Sequence, residues 1–182
     1  DLTRIARQMV DTQGPLARDR GVMLSIAAEG AFPILGERDE LLRVVENLIE
    51  NAVKYGGSGG RVEVALRRQT QAATERTSIE LSVRDYGPGI AAEHIPRLTE
   101  RFYRVDVASS RARGGTGLGL AMVFGFVKQS GGHVKIYSEP GEGTTVKIYL
   151  PRAAGAATVA QRTSAPVELP RGSATVLVVE DE

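Results

Sequence analysis

The 182-residue chain contains no cysteine. That absence excludes disulfide scaffolds and thiolate zinc sites, and it is compatible with a reducing compartment. Net charge is almost absent too. Lys and Arg number 23 against 22 Asp and Glu, a balance of +1, so no global field favours nucleic acid or an anionic membrane, and any phosphate must be held locally. No apolar run approaches the ~20 residues of a membrane span. No signal peptide opens the chain, since "DLTRIARQMVD" mixes charge with apolar residues at helical spacing. Asp1 stands where a complete protein would carry Met, and we expect the chain to start inside a longer one. The expectation is a soluble fragment with one main core, touching neither nucleic acid nor membrane.

What is present reads as alternating elements. Leu2, Ile5, Met9 and Val10 form one face of a short helix that Gly14-Pro15 is expected to end, with Leu16 to Asp19 a continuation after a kink. "VMLSIAA" (22–28) is a strand, and "AFPILG" a shorter extended piece held out of helix by Pro33. The clearest helix runs from Glu37 to Tyr55, with Leu41, Val45, Leu48 and Ala52 on one face and Leu42, Ile49 and Val53 widening it. "GGSGG" breaks it. "RVEVALRR" and "SIELSVRD" then form a hairpin across the polar loop "QTQAATERT". A short helix is expected near Glu93 to Tyr103, a second from Gly117 to Ser130 ending at Gly131-Gly132, and a closing hairpin from "HVKIYSE" and "TTVKIYL" up to Pro151. Beyond Arg152 the composition turns to Ala, Pro, Gly and Ser, a linker, before the apolar strand "TVLVVEDE". This order predicts an α/β sandwich with a mixed sheet and helices on one face.

Three constellations could carry chemistry. Asn47, Asn51 and Lys54 stand at i, i+4 and i+7 of one helix, a single stripe. Two mid-helix asparagines cost helix propensity. They read either as a solvated face or as amide oxygens for a hard cation beside an ammonium for phosphate. Asp85 ends a strand and enters "YGPGI", which is either a plain turn or a carboxylate at a sheet edge where Gly87 and Gly89 let a ligand approach the backbone. "GGTGLGL" (114–120) opens a helix whose free amides and dipole attract phosphate. It is neither a dinucleotide fingerprint, which needs a preceding strand and a later acid, nor a GxxxxGK[ST] loop.

In this order and spacing the pieces resemble the ATP-binding catalytic domain of sensor histidine kinases, within the Bergerat-fold superfamily of gyrase, chaperone, kinase and mismatch-repair ATPases. The matching boxes are "NLIENAVKY" (47–55), "DYGPG" (85–89), "ERFYR" (100–104), "GTGLGL" (115–120) and "GEGTTVKIYLP" (141–151). The resemblance implies a two-layer α+β sandwich with a mostly antiparallel mixed sheet and a long ATP lid from Tyr86 to Thr116. It implies ATP and Mg2+ as cofactors, with Asn51 as magnesium ligand, Asn47 near the phosphates, Lys54 on a phosphate and Tyr55 flanking the adenine. Asp85 is similar to the family's base-reading carboxylate, with Thr144 assisting; Gly87, Gly89 and Ile90 line the same box. A buried acid aimed at an amine prefers adenine over guanine. Arg104 would meet the γ-phosphate, with Arg101 a second candidate and Phe102 between them. Gly115, Thr116, Gly117, Leu118, Gly119 and Leu120 would close over the triphosphate. Asn51, Lys54 and Arg104 are the implied catalytic set. Where the family carries a second phenylalanine, three positions before Phe102, this chain has Thr99.

Hydrolases of the superfamily carry a glutamate four residues before the metal-binding asparagine. That position is Asn47, while Glu46 and Glu50 turn off the stripe, so no base for water is evident and a kinase is favoured. The acceptor histidine is not in the chain, since His94 falls in the lid and His133 at a strand start. The resemblance therefore implies residues 1–15 as the tail of a dimerisation helix, 16–152 as the catalytic domain and 153–174 as linker. Residues 175–182 resemble the first strand of a response-regulator receiver, with Glu180 and Asp181 in its acidic pair, and read otherwise as a generic apolar strand. Implied partners are a histidine-bearing dimerisation domain and a receiver. The fragment would be monomeric, its parent homodimeric, cytoplasmic at this domain and open to membrane anchoring elsewhere. The competing readings are a serine kinase or ATPase of the same superfamily and a nucleotide-binding module without turnover.

Overall fold

A computed structural model describes residues 1–71, 76–100, 102–103, 105 and 118–153. Helix α1 (Leu2–Asp19) is followed by β1 (Met23–Ala28), α2 (Arg38–Tyr55), β2 (Arg61–Gln71), β3 (Arg76–Asp85), α3 (Gly119–Gln129), β4 (His133–Glu139) and β5 (Gly143–Pro151). The strands form one sheet in the order β1-β2-β3-β5-β4. β1 runs parallel to β2, and every other pairing is antiparallel.

Strand alternation decides which face is covered. Val62, Val64, Leu66, Ile79, Leu81, Val83, Ile148 and Leu150 are all buried and, with α1, α2 and α3, form one core. Their registers align them in rows, such as Val64 opposite Val83 and Val83 opposite Val146. Leu41, Val44, Val45, Leu48, Ile49, Ala52 and Val53 of α2 cover those rows at helical spacing. The opposite face is polar. There Glu80, 3% exposed, holds Lys147 Nζ at 3.2 Å and accepts from Gln69 Nε2 at 3.3 Å.

Four expectations change. Helix α1 does not stop at Gly14-Pro15 but runs through Pro15 to Asp19. Pro15 removes one backbone donor, while Ala17 is fully buried and its carbonyl accepts from Arg20 N and Val22 N, tying the last turn to β1. The boundary drawn between residues 15 and 16 thus falls inside one helix. Its first half belongs to the core through Leu2, Ile5, Ala6 and Met9, and Asp1 caps it while also accepting from Phe32 N at 3.1 Å. Most of "QTQAATERT" is strand, since Thr70 pairs with Thr77 and Gln71 with Arg76. The helix expected over 93–103 is a short 3-10 segment, Ala92–Arg97, with Pro96 inside and unable to donate to a longer helix. The helix expected from Gly117 is described from Gly119. The linker beyond Ala153 and the strand at 175–182 lie outside the described residues.

Candidate nucleotide site

At one end of the sheet the covered face changes character. The row running through Val83, Val146 and Ile136 is apolar; two residues along each strand it becomes Asp85, Thr144 and Ser138. Side chains two apart share a face, so three polar groups stand where the core would otherwise continue. Val62, opposite Asp85, keeps the row apolar only on its β2 side.

Close backbone packing walls this polar corner. A methyl group at Gly56, just past α2, would strike the Asp85 side chain; one at Gly87 would strike Gly56; one at Gly143 would strike the Asp85 backbone. At Gly89 it would meet the Glu139 carbonyl, and at Gly59 the Tyr86 carbonyl. Gly89 and Gly143 also hold φ of 69° and 87°, in the region that glycine alone enters freely. The end of α2, the Tyr86–Ile90 segment and the β4–β5 turn thus meet almost without side chains between them, and Gly141 N donates to Pro88 O at 2.8 Å across the seam.

Asp85 is 8% exposed. Its Oδ1 accepts from Gly87 N at 3.0 Å and Thr144 N at 3.2 Å, while Oδ2 receives no hydrogen bond among the described residues. Burial pushes its carboxyl above the ordinary aspartate range, and the two amides and Arg84 only partly oppose this. The corner therefore holds one largely buried acid whose Oδ2, free of protein hydrogen bonds among the described residues, is not sealed from solvent and stays open to a ligand. Ile90 N is fixed by Ser138 Oγ at 2.8 Å, and Ser138 Oγ lies 2.9 Å from Thr144 Oγ1.

The second half of the site lies along α2. Asn47 and Asn51 are half-buried, whereas Glu46 and Glu50 are exposed, so the stripe and the acids do part company. Asn47 Nδ2 donates to Arg43 O at 2.7 Å, which leaves its amide oxygen turned outward toward the start of α3. A Cβ on Gly119 would stand 2.5 Å from Asn47 Oδ1 and 3.6 Å from Asn51 Nδ2. The N-terminal end of α3, which has no side-chain cap among the described residues, therefore lies against both asparagines, where a helix end favours an anion. Lys54 Nζ lies 5.5 Å from the ring centroid of Tyr55, which is 37% exposed. The donor set suits magnesium: an amide oxygen is a hard ligand, and Mg2+ takes one or two protein oxygens and fills the rest from phosphate and water. Among the described residues no cluster of three or more His, Asp or Glu offers an all-protein cage.

The structure thus assembles Asp85, Gly87, Gly89, Ile90 and Thr144 in one corner, and Asn47, Asn51, Gly119 and the α3 start in another, with Lys54 and Tyr55 on the last turn of α2. Leu118 is 40% exposed and Leu120 is half-buried on α3. Phe102 is 69% exposed at φ 65° and makes no aromatic or cation–π contact among the described residues. Arg101, Arg104, Gly115, Thr116 and Gly117 lie outside the described residues. His94 is not a bare surface side chain: its Nδ1 lies 2.6 Å from the Tyr103 hydroxyl. His133 is exposed and stacks on Tyr149 at 4.3 Å. Sequence reasoning missed Ser138 and the close-approach roles of Gly56 and Gly143. The period-two spacing of Ser138 from Ile136 was a usable signal for the first.

The sequence profile described as "Histidine kinase-, DNA gyrase B-, and HSP90-like ATPase" matches residues 36–154. The chain is 34% identical over 151 residues to the sensor-like histidine kinase SenX3 of Mycolicibacterium smegmatis, covering 83% of this chain and 38% of that one. It is 39% identical over 135 residues to the phosphate regulon sensor protein PhoR of Pseudomonas aeruginosa, covering 74% and 29%. It therefore spans well under half the length of these curated relatives. Among solved structures, full-length ShkA in complex with AMPPNP superposes at a TM-score of 0.69 with 30% identity, over 86% of this chain and 31% of that one. The mycobacterial sensor histidine kinase MprB superposes at 0.68 with 28% identity, over 85% and 97%. No helix among the described residues is long and apolar enough to cross a membrane.

Proposed function

The chain belongs to the histidine kinase-, DNA gyrase B- and HSP90-like ATPase family, as an ATP-binding domain of the sensor histidine kinase kind, and on that premise we propose what its own residues do. It binds magnesium ATP and presents the γ-phosphoryl group to a histidine on a separate dimerisation domain. The observation that carries this reading is the pairing of two corners: a largely buried carboxylate with one oxygen free of protein hydrogen bonds among the described residues, and an asparagine stripe facing the N-terminal end of α3.

Asp85 accepts a hydrogen bond from the exocyclic amine of adenine through Oδ2, and the close backbone approaches at Gly56, Gly87 and Gly143 hold that carboxylate in place. The α3 amides, Lys54 and the arginines of "ERFYR" take the phosphates, and Asn51 would hold the magnesium ion, which when bound would neutralise phosphate charge. Catalysis in phosphoryl transfer is mostly positioning and charge stabilisation. With Asn47 in the place of a base and Glu46 and Glu50 in solvent, water is left unactivated and the nucleophile comes from outside, as an imidazole. The parent is a homodimer in which α1 leads back to the dimerisation helices, this domain is cytoplasmic, and "TVLVVEDE" opens a receiver that takes the phosphoryl group onward. ShkA's complex with AMPPNP supports the nucleotide half of this reading.

The test is transfer. This chain, mixed with a separately purified dimerisation domain of a related kinase and γ-labelled ATP, should place acid-labile, base-stable label on that domain. ATP binding without label on it would leave a regulatory nucleotide module instead.

A further inference from the structure

The hydrogen bonds around Ser138 assign a polarity to its neighbour. Ser138 Oγ has three partners: Ile90 N at 2.8 Å, Gly143 O at 3.0 Å and Thr144 Oγ1 at 2.9 Å. A serine hydroxyl has one proton and two lone pairs. The proton goes to Gly143 O, because a carbonyl can only accept, and one lone pair receives the Ile90 N–H. The remaining lone pair faces Thr144, so the Thr144 hydroxyl is the donor between them. Its one proton is then committed inward, and toward any ligand Thr144 Oγ1 can only accept. Asp85, whose Oδ1 already takes two amides, offers lone pairs as well when ionised.

We propose that Ser138 is a positioning residue for base selection: by engaging the Thr144 hydroxyl proton it makes the floor of the pocket acceptor-only. A purine edge with an exocyclic amine is matched there, while an oxo group in the same place meets lone pairs without a proton between them and is refused. The inference rests on the nucleotide reading of the site. Ser138 touches no base; it acts through Thr144, and through Ile90 it also ties the Tyr86–Ile90 segment to β4.

Calorimetric titration of the 182-residue chain with magnesium ATP and magnesium ITP tests it. The two bases differ only along that edge, in the exocyclic group and in the proton on the adjoining ring nitrogen, and it is the change of their ratio between variants that is read. The unaltered chain should prefer ATP by about tenfold or more, the worth of one well-placed hydrogen bond. Ser138→Ala frees the Thr144 proton to turn toward the ligand, and the ATP-to-ITP ratio should contract by about tenfold. Ser138→Thr keeps the acceptor and should keep the ratio. Ser138→Ala combined with Thr144→Val has no proton to release and should recover it. If Ser138→Ala loses its thermal transition, Ser138→Val, better suited to a strand, is titrated in its place. A ratio unchanged in the hydroxyl-less variant, even with both affinities lowered together, overturns the inference and leaves the nucleotide reading standing. So does a contraction that persists without the Thr144 hydroxyl. Failure of the unaltered chain to bind ATP overturns both.

Discussion

The two corners of the site are built by different means. The Asp85 corner is largely backbone against backbone, with glycines at its closest approaches and the Ser138 and Thr144 hydroxyls hydrogen-bonded within it. The Asn51 corner is side chains projected from one helix toward the start of another, and Asn51 and Lys54 make no hydrogen bond to the protein among the described residues. A pocket for a flat, invariant base gains from being rigid before the ligand arrives. A site for a triphosphate and its metal gains from groups that adjust as coordination changes. Substitutions at the glycine contacts of the first corner should therefore disturb fold and binding together, and those in the second binding alone.

The largest effect is expected from Gly143→Val. A branched side chain at φ 87° against the Asp85 backbone should cost about 3 kcal/mol of stability or more, read as a lower denaturation midpoint, with ATP binding lost as well. Normal stability in this variant would break the contrast at its strongest point. Asn51→Ala comes next, and it should lower magnesium-dependent ATP affinity by about a hundredfold. Stability should stay within about 0.5 kcal/mol, since alanine is the better helix former. Melting curves with and without magnesium ATP separate the two quantities.

Asp85→Asn should weaken ATP by about tenfold while leaving the melting temperature equal or higher, because the amide still accepts from Gly87 and Thr144 and carries no charge to desolvate. The pH dependence gives this an independent sign. Burial raises the Asp85 pKa above its unfolded value, so its contribution to stability is present below the ordinary aspartate range and is lost as pH rises through the raised pKa. Adenine binding needs the carboxylate and should strengthen over that same window. Opposed pH slopes for stability and affinity, both flattened in Asp85→Asn, are the expected result, and parallel slopes would overturn the assignment. The smallest effect is that of Lys54→Ala, a three- to fivefold loss of affinity that shrinks as salt is raised, as for a partly exposed charge.

How much of this was legible in the sequence differs corner by corner. The Asn47, Asn51 and Lys54 stripe followed from helical period alone, and the apolar faces of α2 and the strands from periods of 3.6 and 2, because those periodicities are properties of one element. The extent of α1 was only half legible: its continuation over Leu16 to Asp19 was expected, but beyond a stop at Gly14-Pro15. Gly14-Pro15 is a valid stop signal for an isolated helix, and it lost to the burial of Ala17 and the hydrogen bonds that join the last turn to β1. The polar loop "QTQAATERT" misled for a similar reason: a hairpin continues where its partner strand supplies the bonds, whatever the local polarity.

By itself, then, the sequence determined the inventory: which segments are helix or strand, which faces are apolar, that Asp85 ends a strand beside glycines, and which family the boxes resemble. Only the tertiary structure decided the order β1-β2-β3-β5-β4, the meeting of Gly56, Gly87 and Gly143 around Asp85, and the three-way hydrogen bond of Ser138. The physical reason is range. Propensity and periodicity act between near neighbours along the chain, whereas Ile90 and Ser138 are 48 residues apart in sequence and Asp85 and Thr144 are 59 apart, and they become neighbours only when burying the apolar rows brings their strands together.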